Sequence, residues 1–297
     1  MIYTSCQFIQ FKKGVRFVKR YLFRLFVFVV VMCIFLGIFH AGSYICCIAQ
    51  DLMTEFDLPV IMYHHILKEK GRQGEFIISP EEFEQDLKFI KENGYETVLP
   101  KDIIAYQENG TNLPKKPIML TFDDGHLSYL EYAVPLLEKY EMKALVSVVG
   151  AYTNDYTDNP DKCVSYAYLS WYDIDKLSKT AHTEIGNHTY DMHKNTNGRK
   201  GCAKIKNEST EHHRKIFVSD TTKMQALIHK YTNQAPVCFT YPFGYLCKET
   251  EAEIKNLGFK MSLSCTEGIN KISKNSSLFK LKRYNRRHQR SVEQILK

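Results

Sequence analysis

The run Pro117-Ile-Met-Leu-Thr-Phe-Asp-Asp-Gly125 decides the fold of this chain. An apolar, β-prone segment that begins at Pro and ends at Gly is typical of a buried strand. Side chains on a regular strand alternate between its two faces, so Asp123 and Asp124 would point apart if the strand continued. Because Gly125 permits a sharp turn, we predict that both carboxylates converge at the carboxyl end of the strand. In parallel α/β folds, active sites usually occupy that edge of the sheet.

The segments around this run alternate between strand and helix patterns. A first strand is predicted to end at Tyr63, and Ser79-Pro80-Glu81-Glu82 is a helix start with Ser as N-cap and Pro at the first helical position. Strands are also predicted over 143–149 and 183–187, with helices between them. This alternation indicates an α/β protein with a parallel sheet, either open or closed into a barrel. The polar stretch 151–168 is predicted to be a loop.

Residues 1–24 carry most of the net charge of the chain. The net charge of the 297 residues is +7, and residues 1–24 contribute +6 of it because they contain six basic and no acidic residues. The remainder is nearly neutral, which argues against a nucleic-acid-binding face. We interpret this segment as a basic tail on the cytoplasmic side of a membrane.

Residues 25–49 contain no Asp, Glu, Lys or Arg and are long enough to span a bilayer as a helix. We therefore predict a transmembrane signal anchor there, a linker over residues 50–57, and an extracytoplasmic domain over residues 58–297. A cleaved signal peptide is the alternative, because Cys47-Ile-Ala49 is an acceptable cleavage site, and it would give a secreted protein. The sequence makes no prediction of the oligomeric state.

The cysteines do not form a recognisable framework. The chain has nine, and those of the predicted domain show no Cys-x-x-Cys spacing typical of zinc sites. A Cys238–Cys247 disulfide is compatible with an oxidising compartment, and buried free thiols are the alternative.

Two histidines follow the predicted strand over 183–187. The segment is Gly186-Asn-His-Thr-Tyr-Asp-Met-His193, in which the two histidines are five residues apart. On an ideal helix this separation turns through about 500°, which would place His188 and His193 roughly 140° apart around the axis. They can therefore share an ion only if the segment is a loop. Two imidazoles and one carboxylate are a recurring set for a catalytic divalent metal with open positions for water and substrate.

Two aromatic segments are further candidates for the site. Phe239-Thr-Tyr-Pro-Phe-Gly244 follows a predicted strand, and a rigid turn there would expose backbone N–H groups able to hold a developing oxyanion. A plain structural turn is the alternative. Trp171, the single tryptophan, begins a predicted helix and either stacks on sugar rings or belongs to the core.

The motifs Thr121-Phe-Asp-Asp-Gly125, His188-Thr189 with His193, and Phe239 to Gly244 occur together and in this order. From about Leu58 to its C-terminus the chain thereby resembles the polysaccharide deacetylase family, also called carbohydrate esterase family 4 or the NodB-homology domain. The resemblance implies a deformed (β/α) barrel. It also implies metal-dependent removal of N-acetyl groups from amino-sugar polymers.

The resemblance assigns roles to individual residues. Asp124, His188 and His193 would be the metal ligands, and Asp123 would be the base that deprotonates the attacking water. Zinc is the expected ion, and cobalt, nickel, manganese and iron are compatible with the same donors. Apart from these roles, the turn at Tyr241, Pro242 and Phe243 is our candidate contact to the oxyanion, and the ring of Trp171 is our candidate contact to the substrate.

Three departures from the family pattern point to one subgroup. Thr240 stands where an Arg usually orients the base, Phe243 replaces a Tyr, and a C-terminal Leu-x-x-His motif is missing. These features are similar to a circularly permuted subgroup that includes poly-N-acetylglucosamine deacetylases. In that subgroup an N-terminal Tyr-His strand supplies the catalytic acid, which makes His64 the candidate, with His65 second and His288 a weaker choice.

The sequence therefore predicts a membrane-anchored, metal-dependent deacetylase of an N-acetylated glycan polymer, either peptidoglycan or poly-N-acetylglucosamine. A deacetylase of small acetylated amino sugars is one alternative. A catalytically silent glycan-binding protein is another, because the Arg of the third motif is absent, although a binder would have no need of Asp123.

Overall fold

A computed structural model describes residues 27–40, 55–196 and 198–297. The chain divides into two compact units, Met1–Thr54 and Glu55–Lys297. In the first unit, residues 27–40 form a helix, α1. No helix within the described residues is both long and apolar enough to cross a membrane. The basic tail 1–24, the remainder of the predicted anchor 25–49 and residues 50–54 of the predicted linker lie outside the described residues.

The second unit is organised around a parallel sheet in the order β12-β11-β8-β7-β6-β2-β14, with β5 also paired to β6. Every recorded pairing within it is parallel. Its strands are β2 (Val60–Tyr63), β5 (Glu96–Thr97), β6 (Pro117–Phe122), β7 (Ala144–Val148), β8 (Thr183–Asn187), β11 (Cys238–Thr240), β12 (Met261–Leu263) and β14 (Tyr284–Asn285). The predicted α/β class with a parallel sheet is confirmed.

The sheet curls so that residues 278–285, which include the edge strand β14, also reach the other edge strand, β12. A parallel bridge joins Leu263 at the end of β12 to Leu281, and the Leu281 N–H donates to the carbonyl of Ser262. A few residues later the same segment forms β14, which pairs with β2. Residues 278–285 therefore join the two sides of the curled sheet, by the bridge to β12 and by the pairing of β14 with β2.

Eight helices of the second unit are described, and most follow a strand of the sheet. They are α2 (Pro80–Glu92), α3 (Pro100–Asn109), α4 (Val134–Tyr140), α5 (Gly150–Asp158), α6 (Trp171–Ser178), α7 (Thr210–Thr232), α8 (Lys248–Asn256) and α9 (Val292–Leu296). The predicted start of α2 is confirmed, because Ser79 caps it with a reciprocal capping box to Glu82. Phe83, Leu87 and Ile90 recur at helical spacing and are buried in the main core.

Three small two-stranded sheets lie outside the main one. Their strands are β1 (Phe56–Leu58) with β13 (Asn270–Ile272), β3 (His65–Ile66) with β4 (Ile77–Ile78), and β9 (Asn195–Thr196) with β10 (Arg199–Lys200). The first of these pairs corrects the predicted linker over 50–57, because its last two residues already belong to β1. Main-chain pairing with β13 orders these residues in spite of their polar neighbours.

The predicted loop over 151–168 is wrong in its first half, which forms α5. Few apolar residues mark this helix in the sequence, so hydropathy gave no signal. Side-chain hydrogen bonds to α6 hold it instead: the Trp171 N–H donates to Thr157 Oγ1 at 2.9 Å, and Trp171 Nε1 donates to Asn154 Oδ1 at 2.6 Å. Hydrogen bonds between α5 and α6 therefore stabilise a helix that the hydropathy pattern of residues 151–158 did not predict.

The structure does not join Cys238 to Cys247. Both thiols are free, Cys238 lies in the core on β11, and Cys247 precedes α8 with its Sγ 4.0 Å from Nδ1 of His213. The alternative of free thiols therefore describes this pair.

Glu184, near the start of β8, is a buried acid at the edge of the sheet opposite the strand ends. Its side chain forms no salt bridge within the described part of the chain, Oε2 accepts from the Lys101 N–H at 3.2 Å, and Oε1 has no partner there. Burial raises the pKa of Glu184 to about 7, although the Lys101 N–H opposes the shift. The folded protein therefore binds this proton more tightly than the unfolded chain does.

We expect Glu184→Gln to reduce the pH dependence of stability. Between the pKa of Glu184 in the unfolded chain, about 4.3, and its pKa in the folded protein, the wild type loses stability as pH rises. In this range the unfolded chain has released the proton, so folding must either take the proton up again or bury the charged carboxylate. At pH 8 the variant should exceed the wild type by about 1–3 kcal/mol in free energy of unfolding, and at pH 4.5 the difference should be small. Urea denaturation at both pH values measures this. Parallel pH curves for the two proteins would contradict it.

Candidate active site

Segments after the carboxyl ends of four strands, β2, β6, β8 and β11, border one cavity of about 800 Å³. Parallel pairing brings these ends to the same edge of the sheet. The cavity is lined by residues that directly follow the strands, namely His64 after β2, Asp123 and Asp124 after β6, His188 and His193 after β8, and Phe243 after β11. The sequence predicted this convergence for the two acids and two histidines.

The end of β6 turns sharply, as its sequence predicted. The Asp123 N–H still donates to the carbonyl of Tyr63, so this residue continues the sheet. Asp124 and Gly125 then both have positive φ, 72° and 78°. A Cβ at Gly125 would lie 2.8 Å from Cγ1 of Val148, so only glycine fits there. This reversal directs both carboxylates toward the cavity.

The loop after β8 fixes the orientation of His188. Thr189 has φ 72°, and its N–H donates to Asn187 Oδ1 at 2.8 Å. His188 Nδ1 lies 2.8 Å from the carbonyl oxygen of Thr240. A carbonyl oxygen can only accept, so Nδ1 carries a hydrogen and Nε2 is the nitrogen directed at Asp124.

Asp124, His188 and His193 form a cluster whose ligand atoms all lie within 4.8 Å of one another. Asp124 Oδ1 is 3.4 Å from His188 Nε2 and 3.1 Å from His193 Nε2. This oxygen is buried, and no described group satisfies it as a hydrogen-bond donor. A divalent cation here would be bound by this oxygen and by the Nε2 atoms of the two imidazoles in their neutral form. The donor set therefore fits a divalent metal ion.

The acids differ in their surroundings. Burial alone would raise the pKa of Asp124, but the neighbouring imidazoles of His126, His188 and His193 hold it well below the usual range. Burial also acts to raise the pKa of Asp123, and the Arg283 guanidinium outweighs it, so that this pKa is lowered as well. Both carboxylates are thus ionised, one among histidines and the other beside an arginine.

Arg283 is a functional candidate that the sequence analysis missed. Its Nη1 and Nη2 each donate to one oxygen of Asp123 at 2.8 Å, and both side chains are buried. Its Nε donates to the carbonyl of Ser264 at 2.8 Å, which fixes the plane of the guanidinium. The arginine that is absent at Thr240 is therefore supplied from the segment before β14. The only sequence signal is that Arg283 ends a stretch of mixed apolar and basic residues, 278–283.

His64 lies beside these acids in the cavity wall. Its Nδ1 is buried without a hydrogen-bond partner in the described structure, and its ring meets that of Phe76 edge-on at 4.8 Å between centroids. Burial lowers the pKa of His64, while the negative charges of Asp124 and Asp123 oppose that shift. A histidine with an unused nitrogen at the site is available for proton transfer.

The other two histidines named as possible acids are engaged elsewhere. His65 Nδ1 lies 2.6 Å from Ser128 Oγ and its Nε2 lies 3.3 Å from the carbonyl of Ser165. Burial, together with His126, lowers the pKa of His65 to about 3. His288 does not line the cavity, and its Nδ1 lies 3.0 Å from a Glu82 oxygen.

The turn after β11 brings one ring of the predicted segment into the cavity wall. The side chains of Tyr241 and Pro242 are buried, whereas Phe243 has φ 56° and is 42% exposed, with its ring 4.4 Å from that of His193. The Gly244 and Tyr245 N–H groups donate to the carbonyls of Tyr241 and Pro242. The Phe243 N–H has no such backbone acceptor within the described residues.

The predicted sugar contact of Trp171 is wrong. The side chain is 1% exposed, it does not line the cavity, and its ring is stacked on Tyr231 at 5.0 Å. Its Nε1 is already bonded to Asn154. The core alternative describes this residue, because the start of α6 faces α7 rather than the site.

Comparison with known proteins identifies the family. A profile described as "Polysaccharide deacetylase" matches residues 110–262, about half of the chain. The chain belongs to the polysaccharide deacetylase family. The matched region includes the Asp123-Asp124 turn, both loop histidines and the Pro242 turn, so the predicted family is confirmed.

Relatives of this polysaccharide deacetylase include two curated bacterial proteins, each described as a poly-beta-1,6-N-acetyl-D-glucosamine N-deacetylase. The protein of Escherichia coli K12 is 22% identical over an alignment of 252 positions, which covers 77% of this chain and 38% of the relative. That of Staphylococcus aureus MRSA252 is 23% identical over 192 residues, covering 65% of this chain and 62% of the relative. The chain thus spans less than two thirds of the length of these relatives.

Solved structures of the same fold are similar over most of the second unit. A de-N-acetylase from Aggregatibacter actinomycetemcomitans has a TM-score of 0.71 at 20% identity, covering 81% of this chain and 99% of that one. The Streptococcus pyogenes deacetylase PplD, solved with acetate, has a TM-score of 0.66 at 24% identity, covering 82% and 98%. At these identities the similarity supports the fold.

We expect the full-length polysaccharide deacetylase to bind about one equivalent of zinc or cobalt through this cluster. A saturating ion should raise the free energy of unfolding by about 2–4 kcal/mol, because it binds only the folded site. His193→Ala should lose most of this stabilisation and most of the bound metal, measured by equilibrium dialysis with elemental analysis and by thermal unfolding. His229→Ala, an exposed histidine on α7, is the matched control. Equal metal content in the two variants would contradict the assignment.

Proposed function

We propose that this protein hydrolyses N-acetyl groups from amino-sugar polymers. One observation carries the proposal. The ionised carboxylate of Asp123 is bonded to Arg283 and lines the same cavity as the cluster of Asp124, His188 and His193, but it is not one of the cluster's ligand groups. A glycan-binding protein would have no use for a buried, charge-paired base in this position. The names of the curated relatives support the same reaction class. We further propose that the curled sheet is the deformed barrel of the family.

The three residues of the cluster would hold the metal ion. Bound there, a divalent cation would polarise the acetamide carbonyl and lower the pKa of a water molecule. Zinc is the expected ion, and cobalt, nickel, manganese and iron suit the same two nitrogens and one oxygen. His188 is already oriented for this role, because its Nδ1–H is committed to the Thr240 carbonyl.

Asp123 would act as the general base. It accepts a proton from the water whose oxygen attacks the carbonyl carbon of the acetamide. Arg283 donates one hydrogen bond to each carboxylate oxygen of Asp123. The carboxylate therefore remains ionised, and its orientation does not depend on solvent. The Phe243 N–H is the donor that we assign to the oxyanion formed in this step.

His64 would act as the general acid. As the C–N bond breaks, it gives a proton to the amine nitrogen, and the products are acetate and a free amino sugar. Its lowered pKa makes the imidazolium a strong proton donor, while Asp123 and Asp124 favour the charged form. Its position in the cavity wall and its unpartnered Nδ1 support this choice over His65.

The pattern of residues 25–49 leads us to propose membrane attachment with the deacetylase unit outside the cell membrane. An uncharged segment after six basic residues supports this arrangement. A polymer of the cell envelope, either peptidoglycan or poly-N-acetylglucosamine, would be the matching substrate.

Asp123→Asn should separate metal binding from catalysis. We expect the full-length wild type with zinc to release acetate from N-acetylglucosamine oligomers or peptidoglycan and to act poorly on the monosaccharide. The variant should retain its metal and lose about 10²–10⁴-fold in kcat, because the amide cannot accept the proton. Enzymatic measurement of acetate, with metal content determined on the same samples, tests this. Wild-type binding to these glycans without any acetate release would overturn the proposal in favour of a silent binder.

Substitution of His64 should impair the protonation of the leaving amine. We expect His64→Ala to lower kcat by about 10²-fold or more with metal content unchanged, since the uncatalysed loss of an unprotonated amine is slow. His288→Ala, which removes the rival imidazole outside the cavity, should stay within about threefold of wild type because it leaves the acid untouched. If His64→Ala retains the full rate, the acid has been assigned to the wrong residue.

A further inference from the structure

Arg287 is a charged residue at the cavity rim that the proposed mechanism does not use. It is exposed, it borders the same cavity as Asp123, and it lies two residues after β14. Within the described structure its guanidinium forms no hydrogen bond or salt bridge. Arginines without a carboxylate partner are ordinary on a surface, so the way this one is supported decides what it means.

The backbone on both sides of Arg287 is fixed by buried contacts. Arg286 is 3% exposed, its Nε donates to Asp86 Oδ2 at 2.6 Å, and its Nη1 donates to the Arg287 carbonyl. His288 is held by its N–H to the Gly74 carbonyl at 2.8 Å. The guanidinium is therefore presented to the cavity from a rigid segment, which limits the entropy lost when it binds a ligand.

The rim carboxylate of Glu267 is hydrogen-bonded to an arginine other than Arg287. Both oxygens of Glu267 already accept from Arg290, and this hydrogen bonding lowers the pKa of Glu267, with Arg287 a weaker contributor. Arg72, which also lines the cavity, donates only to the uncharged carbonyl of Ser165. Glu75 is the remaining rim acid. The donors of Arg287 are thus left for a group from outside the chain.

We propose that Arg287 binds an anionic group, a carboxylate or a phosphate, on the glycan whose N-acetyl group occupies the site. This inference rests on the proposed function and narrows its substrate to an acidic N-acetylated polymer. The planar fork of arginine matches either oxyanion through two parallel hydrogen bonds. Poly-N-acetylglucosamine has no such group, so this chain would differ in preference from the relatives named for that polymer.

Binding to three glycans of matched length tests the proposal. The full-length Asp123→Asn protein with zinc is titrated calorimetrically with a neutral N-acetylglucosamine oligomer, with an oligomer that alternates N-acetylglucosamine and glucuronic acid, and with one joined by phosphodiesters. We expect at least one acidic glycan to bind tenfold or more tightly than the neutral one, because hydrogen bonds between charged groups are stronger. The carboxylate and phosphate arms identify which anion is preferred.

Substitution assigns this preference to Arg287. Arg287→Gln should lower the ratio of acidic to neutral affinity by about tenfold or more, and Arg287→Lys should restore part of it. Arg214→Gln, on α7 and outside the cavity, makes the same charge change and should leave the ratio intact. Equal affinity of the Asp123→Asn protein for all three glycans, or an equal effect of the two Gln substitutions made in that protein, would overturn the inference. Acetate release from the neutral oligomer by the wild type is scored separately, so the proposed function can stand when the inference falls.

Discussion

The buried pair of Asp123 and Arg283 is the interaction on which the rest of the site depends. Removing either partner would leave one charge uncompensated in the core, which costs far more than the pair contributes net. Arg283 lies between Leu281, bridged to β12, and β14, paired with β2. The segment that closes the curl of the sheet is therefore also the segment that keeps Asp123 ionised and fixes its orientation. The fold and the proposed base thus depend on the same arginine.

Strained backbone marks the places where strands end at the cavity. Asp124, Thr189 and Phe243 all have positive φ, between 56° and 72°, and none is glycine. A left-handed conformation costs such residues roughly 1–2 kcal/mol each. Asp124 and Phe243 line the cavity themselves, and Thr189 directly follows His188, which also lines it. The strain therefore turns the chain at points where a regular strand would direct successive side chains to alternate faces. Sheet geometry alone would not gather these groups.

Local patterns in the sequence predicted the parts of the site that local geometry controls. The apolar run before Asp123 gave the strand, and helical spacing excluded a shared helix face for His188 and His193. Arg283 escaped this reasoning because it meets Asp123 across 160 residues, and no pattern encodes such a contact. Trp171 was misjudged for a related reason, since which side of a short helix is covered depends on packing from α7. Proximity in space is the information that a single sequence lacks.

Thr240 shows why the arginine could move. Its carbonyl fixes the tautomer of His188, and its hydroxyl lies 2.7 Å from Ser147 Oγ. Ser147 on β7 packs tightly against Gly186 on the neighbouring strand β8, because a Cβ at Gly186 would lie 2.7 Å from Ser147 Oγ. A guanidinium at position 240 would need the space that this small-residue contact fills. Arg283 supplies the positive charge beside Asp123, while the carbonyl at position 240 orients His188. The missing arginine of the third motif therefore does not leave Asp123 without a partner, and the proposed role of Asp123 as base does not require an arginine at position 240.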